Sequence, residues 1–379
     1  MLSMRVILFL FAITMYAKAP AQSDAVLEKY LVAHRSIINI KPDSSFSLSP
    51  GGQEMINSCM KGKSLFVLAE NTSHQLVLYK KLRPALIEQF IRLNLKYVFI
   101  EFGRSVAYDV NADLDNNYKM PDNTFFSISE RVRLKKIMGN RRSFEYKGID
   151  FERGFEFYDA VNNILYDVDM NSLHESRAFI TKIKDIASQQ IPPDSNGKTT
   201  YRHFHNFYKD AREEFYRDSL VIKKELGTHY ADIKYLLTNP NNQLPPWAAH
   251  KLIYDDRDPE MTKNLLTEIT PLDTSAVYFL SIGYAHTYGS SAVVHKLSKS
   301  QVLENRIVVM NEFCEDCSIN GEKMDKYNSK MHFMKGAVRS AFRNTANSDL
   351  VIFDLSELPR EYNYIKKHGD LLLFAKNQN

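Results

Sequence analysis

The sequence predicts an α/β protein with a mostly parallel sheet core in two halves and a long helical insertion forming a cap. Three observations predict it. Short apolar runs recur with little alternation: Ser64 to Ala69, Tyr97 to Glu101, Val277 to Ile282, Arg306 to Met310, Asp349 to Asp354 and Leu371 to Ala375. Runs of that kind suit strands covered on both faces, as in parallel sheets. Between the first two, Tyr79 to Leu95 carries apolar residues at helical spacing, so strand, helix and strand follow in order. That order implies a right-handed parallel crossover. The third observation is the middle of the chain, residues 154 to about 268, which holds no strand-like run.

That middle segment reads as amphipathic helices over Phe155 to Val168, Asn171 to Gln190, Tyr201 to Leu226 and Ala231 to Thr238. Pro-rich loops punctuate it at 191–197 and 239–246. A helical insertion placed between two halves of an α/β core can cap a site at the strand ends. The expected organisation is a signal peptide over residues 1–21, then one domain over 22–379 with the insertion at about 154–268.

The N-terminal segment has the features of an export signal. Arg5 supplies a positive charge, Val6 to Tyr16 is almost wholly apolar, and Ala19-Pro20-Ala21 offers an A-x-A cleavage pattern. Eleven apolar residues are too few for a stable bilayer span. An uncleaved anchor is the alternative. The expectation is a secreted or periplasmic protein with no stable membrane span after signal cleavage.

Charge excludes one class of partner. Of 379 residues, 25% are charged and the formal net charge is +4. Cleavage after Ala21 removes Arg5 and Lys18 and no acid, leaving +2. No concentrated basic face for nucleic acid is apparent. The basic run Arg131 to Lys136 reads as a solvated helix face. Cys59, Cys314 and Cys317 are the three cysteines. Cys314 and Cys317 follow a strand and lead into a loop, which favours a local disulfide or two free thiols over a redox motif.

Ligands of open α/β sheets bind outside the carboxyl ends of the strands. The residues standing there are Glu70 and His74 after the first run, Glu101 after the second, and His286 within Gly283-Tyr-Ala-His-Thr-Tyr288-Gly289. A histidine near a carboxylate can move protons close to neutral pH. Such a set also suits a divalent metal. His203 and His205 point to different faces of a helix and read as part of an aromatic helix.

These residues occur in segments that resemble the erythromycin-esterase-like superfamily. Leu68-Ala-Glu-Asn-Thr-Ser-His74-Gln75 resembles its Gly-Glu-x-x-His-Gly segment. Tyr97 to Glu101 resembles its second strand, and Lys147-Gly-Ile-Asp150 its Gly-Leu-Asp segment. Asp256 to Asn264 resembles an Arg-Asp-x-x-Met-x-x-Asn helix start, and Ile282 to Gly289 the strand that ends in His-Asn-x-His. Ala69 replaces a glycine, His74 stands one residue further from Glu70, Gln75 replaces a glycine, and Tyr288 or Gly289 stands where a second histidine would be. The His-x-x-Gly form also resembles the metal-dependent TraB/TIKI-type peptidase-like branch.

The resemblance implies a hydrolase acting on an ester or related acyl bond of a small-molecule substrate, with no obligatory cofactor. His74, Glu101 and His286 would be catalytic: Glu101 or His74 activates water, and His286 orients the substrate or stabilises oxyanion charge. Glu70, Arg257 and Tyr288 would bind substrate, with Asp150 behind them. Arg257 also reads as half of a helix N-terminal ion pair with Asp256 or Asp258. A metal-dependent hydrolase of the same superfamily and a non-catalytic small-molecule-binding protein are the alternatives.

Overall fold

The apolar runs become strands because their side chains are covered on both sides. The structure, a computed structural model, describes residues 24–70, 77–117, 119–120, 126–139, 142–152, 154–188, 198–239, 257–319, 322–323, 331 and 333–376. The expected export signal and His74 lie outside the described residues. Nine strands form one sheet: β1 (Arg35–Ile40), β2 (Phe46–Leu48), β3 (Leu65–Glu70), β4 (Leu95–Ile100), β5 (Glu145–Gly148), β6 (Val277–Gly283), β7 (Ile307–Glu315), β10 (Leu350–Asp354) and β11 (Leu371–Lys376). Two short strands, β8 (Ser318–Ile319) and β9 (Glu322–Lys323), form a separate hairpin.

The sheet order is β2-β1-β10-β11-β7-β3-β6-β4-β5. From β11 to β5 the strands run parallel, and β10 is antiparallel to both its neighbours. The fold is thus the mostly parallel α/β sheet that the sequence predicts. Its two halves interleave: β6, from beyond the insertion, pairs with both β3 and β4. The crossover helix Val77–Ile91 therefore links strands with one strand between them.

Each face of the sheet has its own core. On one, Phe66, Phe90, Val98 and Phe279 pack with the Val77–Ile91 and Arg104–Leu114 helices. On the other, Val67, Phe99, Leu280 and Ile282 pack with Met261, Leu265 and Leu297. The insertion holds a separate apolar core from Phe157 to Leu237. The helix Arg257–Ile269, placed within the insertion by its sequence position, packs on the sheet through Met261, Leu265 and Ile269 instead.

The basic run differs from expectation. Arg131 is 2% exposed and donates to Asp113 and to the carbonyls of Phe126 and Met120. Of the two alternatives for Cys314 and Cys317, a local disulfide or two free thiols, the structure has the buried disulfide, and Cys59 is free. Among the described residues no helix is long and apolar enough to cross a membrane.

A buried ion cluster ties the crossover helix to the sheet. Arg83 donates to both oxygens of Glu130 at 2.9 and 3.0 Å and lies 3.5 Å from Glu70. Removing the cation from such a cluster leaves buried carboxylates uncompensated, a cost of about 3–5 kcal/mol. Arg83→Met is expected to lower the unfolding free energy by roughly that amount. Urea denaturation of the single variant, and of Arg83→Met with Glu130→Leu, checks this: the double variant should recover most of the loss.

Candidate active site

The site is set by how the ends of β4 and β5 interlock. The chain leaves β4 at Glu101-Phe102-Gly103 and enters the Arg104–Leu114 helix. Glu152, just past β5, caps that helix by accepting from the Arg104 and Ser105 amides at 2.7 and 3.1 Å and from Ser105 Oγ at 2.5 Å. A Cβ on Gly103 would collide with Glu152, and one on Gly148 would collide with the Gly103 carbonyl. Only glycine lets the two turns touch, and their contact sets Glu101 beside Asp150.

Glu101 is the hub. Its Oε1 accepts from Arg257 Nη2 at 2.9 Å and lies 2.9 Å from His286 Nε2. Its Oε2 accepts from the Gly283 amide at 2.8 Å. Arg257 also grips Asp150, through Nε at 2.9 Å and through Nη2. His286 Nδ1 lies 2.6 Å from Asp258 Oδ1. The ends of β4, β5 and β6, together with the start of the Arg257–Ile269 helix, thus contribute one chain of charges. Asp258 is fully buried, and its place in the first helical turn suits a carboxylate.

The electrostatics follow from this packing. Burial disfavours a charge on His286, but the Glu101 and Asp258 carboxylates outweigh it and hold the imidazole up to about 9. At neutral pH it is an imidazolium with both N–H groups donating to carboxylates. Burial likewise disfavours the Arg257 charge, and Asp150 and Glu101 more than restore it. From the described residues Glu101 accepts from the Arg257 and His286 cations and from the Gly283 amide, which makes it an anchor rather than a base. Arg257 Nη1 has no hydrogen-bond partner among the described residues, and the side chain is 20% exposed. It is a fixed donor available to a ligand.

The sequence-derived set divides. Glu101, Arg257 and His286 come together. Glu70 turns to the opposite face of the sheet, where Ser281 Oγ donates to it and Arg83 approaches it. Tyr288 is 58% exposed and stacks on His368 at 4.7 Å. Arg257 does not pair with its sequence neighbour Asp258; it takes Asp150 and Glu101, while Asp258 takes His286. The supporting roles of Asp258 and of Asn264, which donates to the Ile149 carbonyl at 2.9 Å, were not legible individually. Their spacing in Arg-Asp-x-x-Met-x-x-Asn was the available signal: the first two helical turns aim Arg257, Asp258 and Asn264 at different partners.

No protein-family model matches the chain, and no curated protein sequence matches it. Solved structures do. A protein from Bacillus cereus superposes with a TM-score of 0.64 at 13% identity, covering 93% of this chain and 97% of its own. A histidine-to-asparagine mutant of the erythromycin esterase EreC, in its open conformation, gives 0.56 at 11% identity, covering 91% and 98%. A succinoglycan biosynthesis protein gives 0.55 at 10% identity, covering 93% and 96%. The erythromycin-esterase-like resemblance in the sequence thus stands at the level of the fold.

The raised imidazole sets a pH window. A group whose folded value exceeds its free value of about 6.5 stabilises the fold fully below that pH and loses its contribution as pH rises towards 9. Unfolding free energy should fall between those limits. In Asp258→Asn the His286 titration followed by NMR should move down by about one unit or more, since a charged partner is lost.

Proposed function

We propose that the chain is an exported hydrolase of an ester or a related acyl bond in a small molecule. The observation that carries the proposal is the Glu101 hub, which fixes two cations, Arg257 and His286, at the carboxyl ends of adjacent parallel strands. That is where open α/β sheets bind ligands. An acyl-transfer transition state develops charge on the carbonyl oxygen, and fixed cationic donors in a water-poor site stabilise it. Arg257 Nη1 serves as the donor to that oxygen. His286, protonated and held from both sides, supplies positive potential and holds Glu101 in place.

Water activation falls to His74. Glu101 is too heavily engaged by donors to take a proton, and His286 already carries one. The neutral imidazole of His74 takes the proton from water as the nucleophile adds, and returns it to the leaving alcohol. Arg257, gripped by Asp150 and Glu101, stays rigid through the cycle. The erythromycin esterase among the structural neighbours supports an acyl bond as the target. The reading requires no cofactor, and export follows from the N-terminal segment.

A panel of short- and long-chain nitrophenyl esters tests this. His74→Ala should lower kcat/KM by about 10²–10⁴-fold, as for loss of a general base. Glu101→Gln, which loosens both cations, should cost about 10²–10³-fold. Both variants must retain the wild-type circular dichroism. Unchanged turnover in either would overturn the assignment of roles. Tight ligand capture without turnover by the wild type would make the chain a binding protein, and metal content lost in His74→Ala would make it a metal-dependent hydrolase.

A further inference from the structure

The helical insertion meets the sheet domain along the Arg104–Leu114 helix, and a buried acid stands in that contact. Asp109 is 5% exposed, and Asn163, on the insertion helix Gly154–Ile164, donates to its Oδ1 at 2.7 Å. This bond links the two bodies of packing. Its neighbour Tyr108 packs against the apolar core of the insertion. A cleft of about 810 Å³ opens beside the contact, lined by Tyr108, Asn163, His229 and Asp232 among others. It brings solvent as far as Asn163, the hydrogen-bond partner of Asp109.

The charges around Asp109 are of its own sign. Burial raises its affinity for a proton, Asn163 opposes this, and Asp159, Glu156 and Glu152 add to it, bringing the group to about 7. The cations on surrounding elements have other partners. Arg104 donates to the Tyr235 carbonyl and to Thr238. Arg131 and Lys135 pair with Asp113, and Lys147 with Glu145 and Glu268; the His229 ring lies 3.3 Å from Asp167. Asp232 is a further acid, and Lys119 lines the cleft and is exposed.

We propose that Asp109 is a proton-operated latch: its neutral form, hydrogen-bonded to Asn163, docks the helical insertion on the sheet domain, and its ionised form loosens that contact. The sign follows from linkage. The docked state binds the proton more tightly than the open state, where the carboxyl returns towards its ordinary 3.8. Docking is therefore complete at low pH and weakens as pH rises to about 7, above which the loss is constant. The consequence reaches the candidate site. Asn239, just past the insertion's last described helix, donates to the Asp150 carbonyl and to Glu152, both at 2.8 Å. Loosening the insertion loosens the support of the Asp150 side of the Arg257 clamp. The inference holds whether or not the chain is a hydrolase.

Amide hydrogen exchange of the full chain, corrected for the intrinsic effect of pH, tests it without a substrate. Protection of the Gly154–Ile164 helix should fall roughly tenfold or more between about pH 5.5 and about pH 8. In Asp109→Asn, which keeps the hydrogen-bonding shape and cannot ionise, protection should stay flat. Asp159→Asn, which removes one of the repelling acids, should keep the transition but move it to lower pH. Wild-type protection that does not change with pH, or a transition that persists in Asp109→Asn, overturns the latch. If Asp109→Asn does not fold, carbon NMR of the wild-type Asp109 carboxyl decides: titration near 7 supports the latch, and titration near 4 overturns it.

Discussion

A charge removed from water must find an opposite charge or a hydrogen bond, and this requirement organises the carboxyl edge of the sheet. Glu101, Asp150 and Asp258 supply three carboxylates there, and Arg257 and His286 two cations, all of them largely buried. None could be buried alone without a large desolvation cost. Each is held because its partners come from other strands and from the start of one helix. The arrangement is rigid for that reason: rotating any one of these side chains would strand another.

The sheet order makes the pairing available. Because β6 lies between β3 and β4, its carboxyl end delivers the Gly283 amide to Glu101 and turns His286 back over the same carboxylate. The same insertion of β6 parts Glu70 from Glu101. Glu70 faces the crossover helix and enters a second buried cluster with Arg83 and Glu130. Two acids that end successive strands in the sequence therefore belong to different machinery, one structural and one suited to chemistry.

The helical insertion is joined to the sheet domain by polar contacts and by Tyr108, which packs against the insertion's apolar core. Among the described residues its polar links to the sheet domain run through Asn163, Thr238 and Asn239. Contacts of that kind exchange water for hydrogen bonds and contribute little net stability each.

Local chemistry was enough to determine a good deal. Continuous apolar runs predicted the strands of a parallel sheet, the Tyr79-to-Leu95 spacing its crossover helix, and a strandless middle its insertion. The order of motifs marked Glu101, Arg257 and His286, which do converge. Each of these follows from short-range pattern or from position at a strand end. What only the tertiary structure decided was pairing: that β6 separates β3 from β4, that Arg257 passes over Asp258 for Asp150, that Arg131 is buried, and that Glu70 belongs to another cluster. Pairing depends on which buried charges lie closest in space. Residues 101, 150, 257 and 286 are brought together by hydrogen-bonded strands and not by spacing along the chain, so no periodicity of the sequence could reveal it.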